Sequence, residues 1–169
     1  MLKDSQLPPV LLLRAATLLI SGRIRFVTDV VGTIRHVSGE DFEAYRRVEV
    51  VPGNKQPAIP GAILEVTFRF AKYSEELNKR LSLIPIPFII AQPGFRSKTW
   101  FTGRKSGRFK GIYEWDSPQS AERYWNSFPM QLMKMRSDKA TLLREIRTVK
   151  GLKDPEPNNA IEPTGVKKT

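Results

Sequence analysis

The chain has 169 residues, and its hydrophobic content of 40% can supply the core of one domain with room for an appendage. It contains no cysteine and one histidine, His36, which excludes a Cys/His zinc site, a disulfide framework and a thiol nucleophile. The formal charge is +11, and residues 151–169 do not account for it because their three basic residues balance three acidic ones. A basic folded body favours nucleic acid, an anionic lipid surface or an acidic ligand as partner.

The first part of the chain, from Pro9 to about Arg35, has apolar residues at helical spacing. On a helical wheel one broad face carries Leu12, Leu13, Ala16, Leu19, Ile20, Val27, Val30, Val31 and Ile34. Gly22 and Gly32 weaken a helix, so the segment forms two helices or one kinked helix. We therefore predict an amphipathic helical extension over residues 1–45.

The apolar run Val10–Ile20 is too short to cross a membrane, because a span needs about 20 apolar residues and Arg14 interrupts this run. Two roles remain for the apolar face. It packs on the protein's own domain or on a partner subunit, which we favour, or residues 9–35 lie on an anionic membrane surface. We expect a cytoplasmic protein, with a peripheral membrane location as the alternative.

A linker and a ferredoxin-like domain follow the extension. Residues 46–60 include a stretch dense in proline and glycine, which indicates a linker or a long turn. Between residues 61 and 152 the pattern predicts the order strand, helix, strand, strand, helix, strand. This is the α+β ferredoxin-like plan (βαββαβ), an antiparallel sheet with both helices on one face. Residues 153–169 are polar and contain proline, which indicates a disordered tail.

The elements of the predicted domain have clear local signals. The strands are Ala62–Phe70, Phe95–Phe101, Phe109–Trp115 and Thr141–Val149. One helix begins at Ser74 and the other after Asp116, and Pro129 kinks or divides the second. Residues 83–94, apolar with three prolines, form a rigid connector that is a pocket lid, a dimer contact or a buried connection.

Three short motifs of this domain resemble a known superfamily. They are Pro93-Gly-Phe-Arg-Ser-Lys-Thr-Trp100, Phe109-Lys-Gly-Ile-Tyr-Glu-Trp-Asp116 and Ala121-Glu-Arg-Tyr-Trp125. Together they resemble the small monooxygenases of the dimeric α+β barrel superfamily, which includes the antibiotic-biosynthesis monooxygenases. The resemblance covers roughly residues 62–146 and leaves out residues 1–60.

The resemblance implies a homodimer with a pocket between the sheet and the helices of each subunit. It also implies dioxygen as co-substrate on a phenolic or otherwise hydrophobic small molecule, with neither flavin nor metal. The sequence is compatible with this expectation, since it has no G-x-G-x-x-G fingerprint, no Walker loop and no His/carboxylate cluster for iron. A haem held by a proximal histidine would have to use His36, which lies outside the motifs. We therefore predict a cofactor-independent monooxygenase-like protein.

Cofactor-free oxygenation requires a site that binds an aromatic acid, favours its anion and excludes water. We predict Tyr113 as a polar contact and Arg96 or Lys98 as the group that stabilises a phenolate or carboxylate. The predicted walls are Trp100, Trp115, Tyr124, Trp125, Phe128 and Met133, with Asn78 as a weaker candidate and no metal ligands. Any one of these aromatic residues is also explained as ordinary core.

Two other functions fit the sequence. A non-catalytic protein that binds a hydrophobic ligand, or that associates with a membrane, has the same fold without the reaction. Nucleic-acid binding is the third hypothesis, because residues 96–110 contain six basic residues and no acid. The third strand lacks the residue order of RNA-recognition domains, so we expect nucleic acid not to be the partner.

Overall fold

The computed structural model describes residues 7–51 and 59–149, which form a seven-stranded antiparallel sheet with helices packed on one face. The helices are α1 (Pro8–Ile20), α2 (Glu75–Leu81), α3 (Ile86–Ile90), α4 (Pro118–Trp125) and α5 (Phe128–Arg136), with a short 3-10 turn at Lys139–Thr141. The strands are β1 (Ile24–Phe26), β2 (Ile34–Val37), β3 (Glu40–Val50), β4 (Ala62–Phe68), β5 (Phe95–Gly103), β6 (Phe109–Trp115) and β7 (Leu143–Thr148). No helix of the described part is long and apolar enough to cross a membrane.

The central strands confirm the predicted ferredoxin-like fold. Their order across the sheet is β5-β6-β4-β7, and each neighbouring pair is antiparallel. The helix after β4 begins at Ser74, whose hydroxyl accepts a hydrogen bond from the backbone N–H of Leu77. The predicted second helix is divided into α4 and α5, with Pro129 in the first turn of α5.

The region before β4 differs from the prediction. Helix occupies only Pro8–Ile20 of the predicted extension, and β3 runs through the boundary placed at residue 46. Gly22 and Gly32 have φ angles of 64° and 84°, which glycine adopts without strain, so they redirect the chain where a kinked helix was expected. The chain then enters strands that pair with β3, and β3 itself pairs with β5.

Two predicted segments cannot be compared with the structure. Residues 52–58 of the predicted linker and the predicted disordered tail at residues 153–169 lie outside the described residues.

Helix α1 packs through a narrower face than the one predicted. Leu11, Ala15 and Leu18, spaced one turn apart, are buried in the main core, and α1 lies against α3. The broad face that includes Leu13 and Ile20 is turned away from the domain. Of the two packing partners expected for this broad face, the protein's own domain does not cover it, and packing on a partner subunit stays a prediction.

The sheet curls so that its second face is also largely buried. Phe42, Ala44, Phe101 and Ile112 form a small core on that face. Arg35 of β2 comes within 3.9 Å of Glu65 of β4, although three strands separate them in the sheet order. The chain itself thus covers much of the second face of the sheet, and formation of the homodimer stays a prediction.

Candidate functional site

A mostly apolar cavity of about 170 Å³ lies between the sheet and its helices. The sheet contributes Tyr45, Phe68, Lys98, Trp100, Phe109, Gly111 and Tyr113. The helices and their connections contribute Phe70, Leu81, Ser82, Ile84, Pro85, Phe88, Ile89, Tyr124, Pro129, Leu132, Met133 and Arg136. Because a cavity of roughly 150 Å³ lined by apolar side chains holds benzene, this one accommodates about one aromatic ring.

Strand alternation places the polar wall of the cavity. Lys98 of β5 and Tyr113 of β6 are direct cross-strand partners, so their side chains project to the same, helix-covered face. Gly111 lies two residues before Tyr113, and a Cβ atom added to it would come 2.8 Å from Cε2 of the Tyr113 ring. The absence of a side chain at Gly111 is what lets the tyrosine ring lie flat along the strand at this point.

Lys98 is a buried lysine whose amine reaches the cavity. Its Nζ lies 4.2 Å from the ring centre of Trp100 and 4.4 Å from that of Tyr113. The residue is 6% exposed, and within the described part of the chain its Nζ has no hydrogen bond or ion pair. Burial lowers the pKa of Lys98 well below the usual value, and the positive charge of Arg46 lowers it further. A larger fraction of this amine is therefore neutral than for an exposed lysine.

Arg46 is fixed at the edge of this site by strand β3. Its guanidinium donates hydrogen bonds to the hydroxyl of Ser82 and the carbonyl of Lys79. It lies 5.8 Å from the ring centre of Trp100. A fixed positive charge beside Lys98 favours either the neutral amine or a bound anion.

Three tyrosine hydroxyls line the same cavity and all stay protonated at neutral pH. Burial raises the pKa of Tyr45 to about 12. Burial also raises the pKa values of Tyr113 and Tyr124, whose ring centres are 5.1 Å apart. These hydroxyls can therefore donate hydrogen bonds to an anion in the cavity.

The charges at the cavity are all of one sign. Lys98, Lys110 and Arg136 are among its lining residues, and these described lining residues include no aspartate or glutamate. The Nζ of Lys110 is directed to Glu65, at 2.8 Å, and the guanidinium of Arg136 donates to the side-chain oxygen of Asn78. Lys98 is thus the cavity cation that remains available to a ligand among the residues described here.

Five of the predicted site residues line the cavity: Lys98, Trp100, Tyr113, Tyr124 and Met133. The structure brings them together from β5, β6, α4 and α5.

Two predicted residues lie beside the cavity without lining it. The register of β5 against β6 shifts between Phe95 and Ser97, and this bulge takes Arg96 out of the alternation and pairs it with Asp116. Trp115 is fully buried behind Tyr124, with ring centres 4.9 Å apart, and its indole N–H has no hydrogen-bond partner among the described residues.

The three remaining predicted residues have other packing roles. Trp125 lies between Lys134 and Arg144, whose charged groups are 3.7 Å and 4.9 Å from its ring centre. Phe128 packs on Phe88 at 6.0 Å. The side chain of Asn78 holds the loop before α2, because its amide group lies within hydrogen-bonding distance of the carbonyls of residues 72, 73 and 74.

Sequence reasoning missed Tyr45 and Arg46, since the predicted boundary between extension and linker, at residue 46, falls inside strand β3. The alternation of Phe42, Ala44, Val48 and Val50 was the available signal. The connector at residues 83–94, for which three roles were open, supplies Ile84, Pro85, Phe88 and Ile89 to the cavity wall.

The described residues that line the cavity include no histidine. In residues 7–51 and 59–149, no group of three or more His, Asp or Glu side chains could hold a metal ion. His36 lies exposed on β2, where its ring bonds to Asp41 at 2.8 Å.

No protein-family model matches the sequence, and no curated protein matches it. Among solved structures, the chain is similar to a heme-degrading enzyme from Listeria monocytogenes, with 12% identity, a TM-score of 0.49, and 73% of this chain and 95% of that chain covered. It is also similar to an uncharacterized ferredoxin fold protein related to antibiotic biosynthesis monooxygenases, again from Listeria monocytogenes, with 12% identity, a TM-score of 0.48, and coverages of 81% and 88%.

A third similar structure is that of an anthrone oxidase-like protein, with 17% identity and a TM-score of 0.43 over 64% of this chain. The match spans 52%, about half, of that protein. All three likenesses concern the fold alone.

Proposed function

We propose that this chain is a cofactor-independent monooxygenase-like enzyme that acts on a weakly acidic aromatic compound of about one ring, such as a substituted phenol. The observation that carries the proposal is Lys98, a buried amine at the wall of an apolar cavity, with no acidic group beside it among the described lining residues. Such an amine can remove a proton from a phenol and then pair with the phenolate that it has made.

The first step of the proposed reaction is this proton transfer. The phenolic O–H bond breaks, its proton moves to the Nζ of Lys98, and the negative charge remains on the ring oxygen. The new ammonium group and the hydroxyls of Tyr113 and Tyr124 stabilise the phenolate. Water is excluded by the apolar walls, so these interactions are stronger than they would be in solution.

The electron-rich phenolate then reacts with dioxygen without an added reductant. One electron passes from the phenolate to dioxygen, and the resulting phenoxyl radical and superoxide combine to form a peroxide anion at a ring carbon that carries hydrogen. The ammonium group of Lys98 returns its proton to this peroxide, which regenerates the neutral amine. Loss of water from the peroxide gives a quinone, so that phenol and dioxygen yield quinone and water. One oxygen atom enters the product and the ring supplies all the electrons, which is why the proposal requires neither flavin nor metal.

The non-catalytic alternative uses the same cavity, and it differs only in that the bound phenolate does not react. Nucleic-acid binding has less support from the structure than from the sequence of the hairpin. Of the basic hairpin residues, Arg96 is paired with Asp116, Lys110 with Glu65 and Arg104 with Glu43, and Lys98 lies in the cavity. The hairpin therefore presents far less free positive charge than its sequence indicates.

The test is a thermal-shift screen with monocyclic phenols and hydroquinones, followed by oxygen uptake for each ligand that stabilises the protein. We expect saturable stabilisation and incorporation of one atom of labelled dioxygen into the product. Lys98→Met should abolish oxygen uptake, whereas Lys105→Met, which removes the same charge from the exposed hairpin loop, should not change it.

Three outcomes distinguish the hypotheses. Stabilisation without oxygen uptake supports the binding protein and contradicts the enzyme. Oxygen uptake that persists at the same rate in Lys98→Met contradicts the role of Lys98. If no phenol stabilises the chain at any concentration tested, the cavity is not a phenol site.

A further inference from the structure

The outward face of helix α1 is apolar and has nothing packed on it within the described chain. We define this outer face by Leu13, Leu19 and Ile20, which are 72%, 67% and 87% exposed. The opposite side of the same helix already holds α1 on the domain through Leu11, Ala15 and Leu18. The exposed leucines and isoleucine are therefore not needed for folding, and a cluster of large aliphatic side chains in water marks an interaction surface.

The outer face is accompanied by positive charge. Arg14, Arg23 and Arg25 lie on α1 or within a few residues after it, and the sequence contains no acidic residue between Leu7 and Thr28. None of the three arginines forms an ion pair with an acidic residue in the described ranges. The guanidinium of Arg23 donates two hydrogen bonds to the carbonyl of Val51, so Arg14 and Arg25 are the two arginines available to a partner. Arg14 and Arg23 lie near enough to repel each other, since the pKa of Arg14 is lowered by burial first and by the charge of Arg23 second.

We propose that the outer face of α1 inserts into the surface of an anionic lipid bilayer, with Arg14 and Arg25 at the level of the lipid phosphates. An interfacial helix of this kind has an apolar face in the acyl region and basic residues in the headgroup region. The helix has 13 residues and thus a length of about 20 Å, so it lies in the interface and does not cross a core of about 30 Å.

Charge decides between a bilayer and a second copy of the chain. Two copies that met through α1 would bring together arginines of both chains that have no acidic partner, and no acidic residue of α1 would neutralise their charge. An anionic lipid surface instead supplies the missing negative charge over the whole patch. The bilayer is therefore the better partner for this face.

The proposed contact also places the cavity near a source of hydrophobic ligands, an extension that rests on the proposed function. Helix α3, on which α1 packs, supplies Phe88 and Ile89 to the cavity wall. Membrane binding itself does not depend on any ligand, so the two proposals can fail separately.

The experiment is co-sedimentation of the full chain with lipid vesicles. We expect binding to phosphatidylcholine vesicles that contain about 30% phosphatidylglycerol, and at least about ten-fold weaker binding to phosphatidylcholine alone. The double variant Leu13→Gln/Ile20→Gln should reduce the partition coefficient about ten-fold or more, because two large apolar side chains are lost from the acyl region. Arg14→Gln should lower binding to the anionic vesicles and leave the weak binding to neutral vesicles unchanged.

The matched control is Ile34→Gln/Leu143→Gln, which makes the same kind of change at side chains that are 50% and 59% exposed on β2 and β7. This control should bind like the unmodified chain. Equal binding of the Leu13→Gln/Ile20→Gln variant and the unmodified chain would overturn the proposal. It would also be overturned if the chain did not bind vesicles and light scattering showed a dimer that this variant converts to monomer.

Discussion

The Nζ atom of Lys98 lies 4.4 Å from the centre of the Tyr113 ring, and the two residues are direct partners across strands β5 and β6. An ammonium group over an aromatic face gains a cation–π interaction, but this gain is small beside the cost of burying a charge without a counter-ion. The site is therefore less stable when Lys98 is protonated. A weakly acidic ligand would remove this cost of burying the charge, because it gives its proton to the amine and remains beside the new ammonium group as an anion.

The first prediction concerns Lys98→Met. At neutral pH we expect a melting temperature about 3 °C higher than that of the unmodified chain, because roughly 1 kcal/mol of burial cost is removed. The pKa of Lys98 is lowered on folding, so the folded chain binds fewer protons there than the unfolded chain between the lowered pKa and 10.5. The unmodified chain should thus recover stability relative to the variant as the pH rises through this range.

Thermal melts of both proteins at several pH values from neutral to about 10 measure this difference. Lys105→Met provides the comparison for a lysine in an exposed loop, and its difference from the unmodified chain should not change with pH in the same way. A constant difference for Lys98→Met across the range would contradict a lowered pKa.

The second prediction concerns Gly111→Ala, which places a methyl group against the Tyr113 ring. We expect a loss of about 2 kcal/mol in the free energy of unfolding, because the new Cβ would lie 2.8 Å from the ring and the ring must move. The moved ring should also narrow the cavity and weaken the binding of any phenol. Urea denaturation measures the loss, and in the Tyr113→Leu background the same substitution should cost clearly less.

The third prediction concerns Glu65, whose carboxylate is buried on the second face of the sheet and paired with Lys110. Burial alone would raise the pKa of Glu65, but the hydrogen bond and charge of Lys110, with the charges of Arg147 and Arg35, lower it below 4.5. Glu65→Gln should therefore cost about 3 kcal/mol at pH 7, because Lys110 loses its counter-ion in a buried position.

The cost should depend on pH with a defined sign. A depressed carboxyl pKa contributes stability above the unfolded value, and this contribution is lost as the pH falls through the folded value. The difference between Glu65→Gln and the unmodified chain should thus shrink towards pH 3. Glu145→Gln, at an exposed position on β7, should show neither the large loss nor the pH dependence.

The fourth prediction separates Asn78 from the cavity. Its amide holds a loop in which Tyr73 has a φ of 72°, a conformation that side chains other than glycine seldom adopt. Asn78→Ala should lower the free energy of unfolding by about 2 kcal/mol, since the carbonyls of residues 72, 73 and 74 and the guanidinium of Arg136 lose their buried partner. Ligand affinity, measured by calorimetry well below the melting temperature, should change by less than about two-fold. The exposed Asn126→Ala serves as control, and a specific loss of affinity in Asn78→Ala would contradict the structural role.

Much of the ferredoxin-like domain could be predicted because its local signals agree with its tertiary structure. The alternation in Ala62–Phe68 and Phe109–Trp115 matches the two faces of the sheet. The Ser74 cap and the division at Pro129 follow from short-range chemistry that packing does not override.

The N-terminal strands could not be predicted in this way. Val27, Val30, Val31 and Ile34 fit a helical wheel, yet they lie between Gly22 and Ser38-Gly39, whose positive φ angles turn the chain. Strands as short as β1 and β2 fit the helical period as well as the two-residue period of a strand. Only their pairing with β3 makes these residues strands and not helix.

The sequence predicts part of the candidate site, and the rest depends on an irregularity in strand pairing. Lys98, Trp100 and Tyr113 are predicted as pocket residues, and the structure has them at the cavity wall. The bulge between Phe95 and Ser97 has no sequence signal, so the sequence offers Arg96 as an alternative to Lys98, whereas in the structure Arg96 pairs with Asp116.

The pairing of β3 with β5 has a consequence for any attempt to produce the ferredoxin-like part alone. A chain that began near Gly61 would lack β3 and would expose the whole edge of β5, an otherwise fully buried strand. Its free N–H and C=O groups would form a row able to recruit the same edge of another molecule. Such a fragment should form aggregates or artificial dimers, and an oligomeric state measured on it would describe the cut edge and not the native protein.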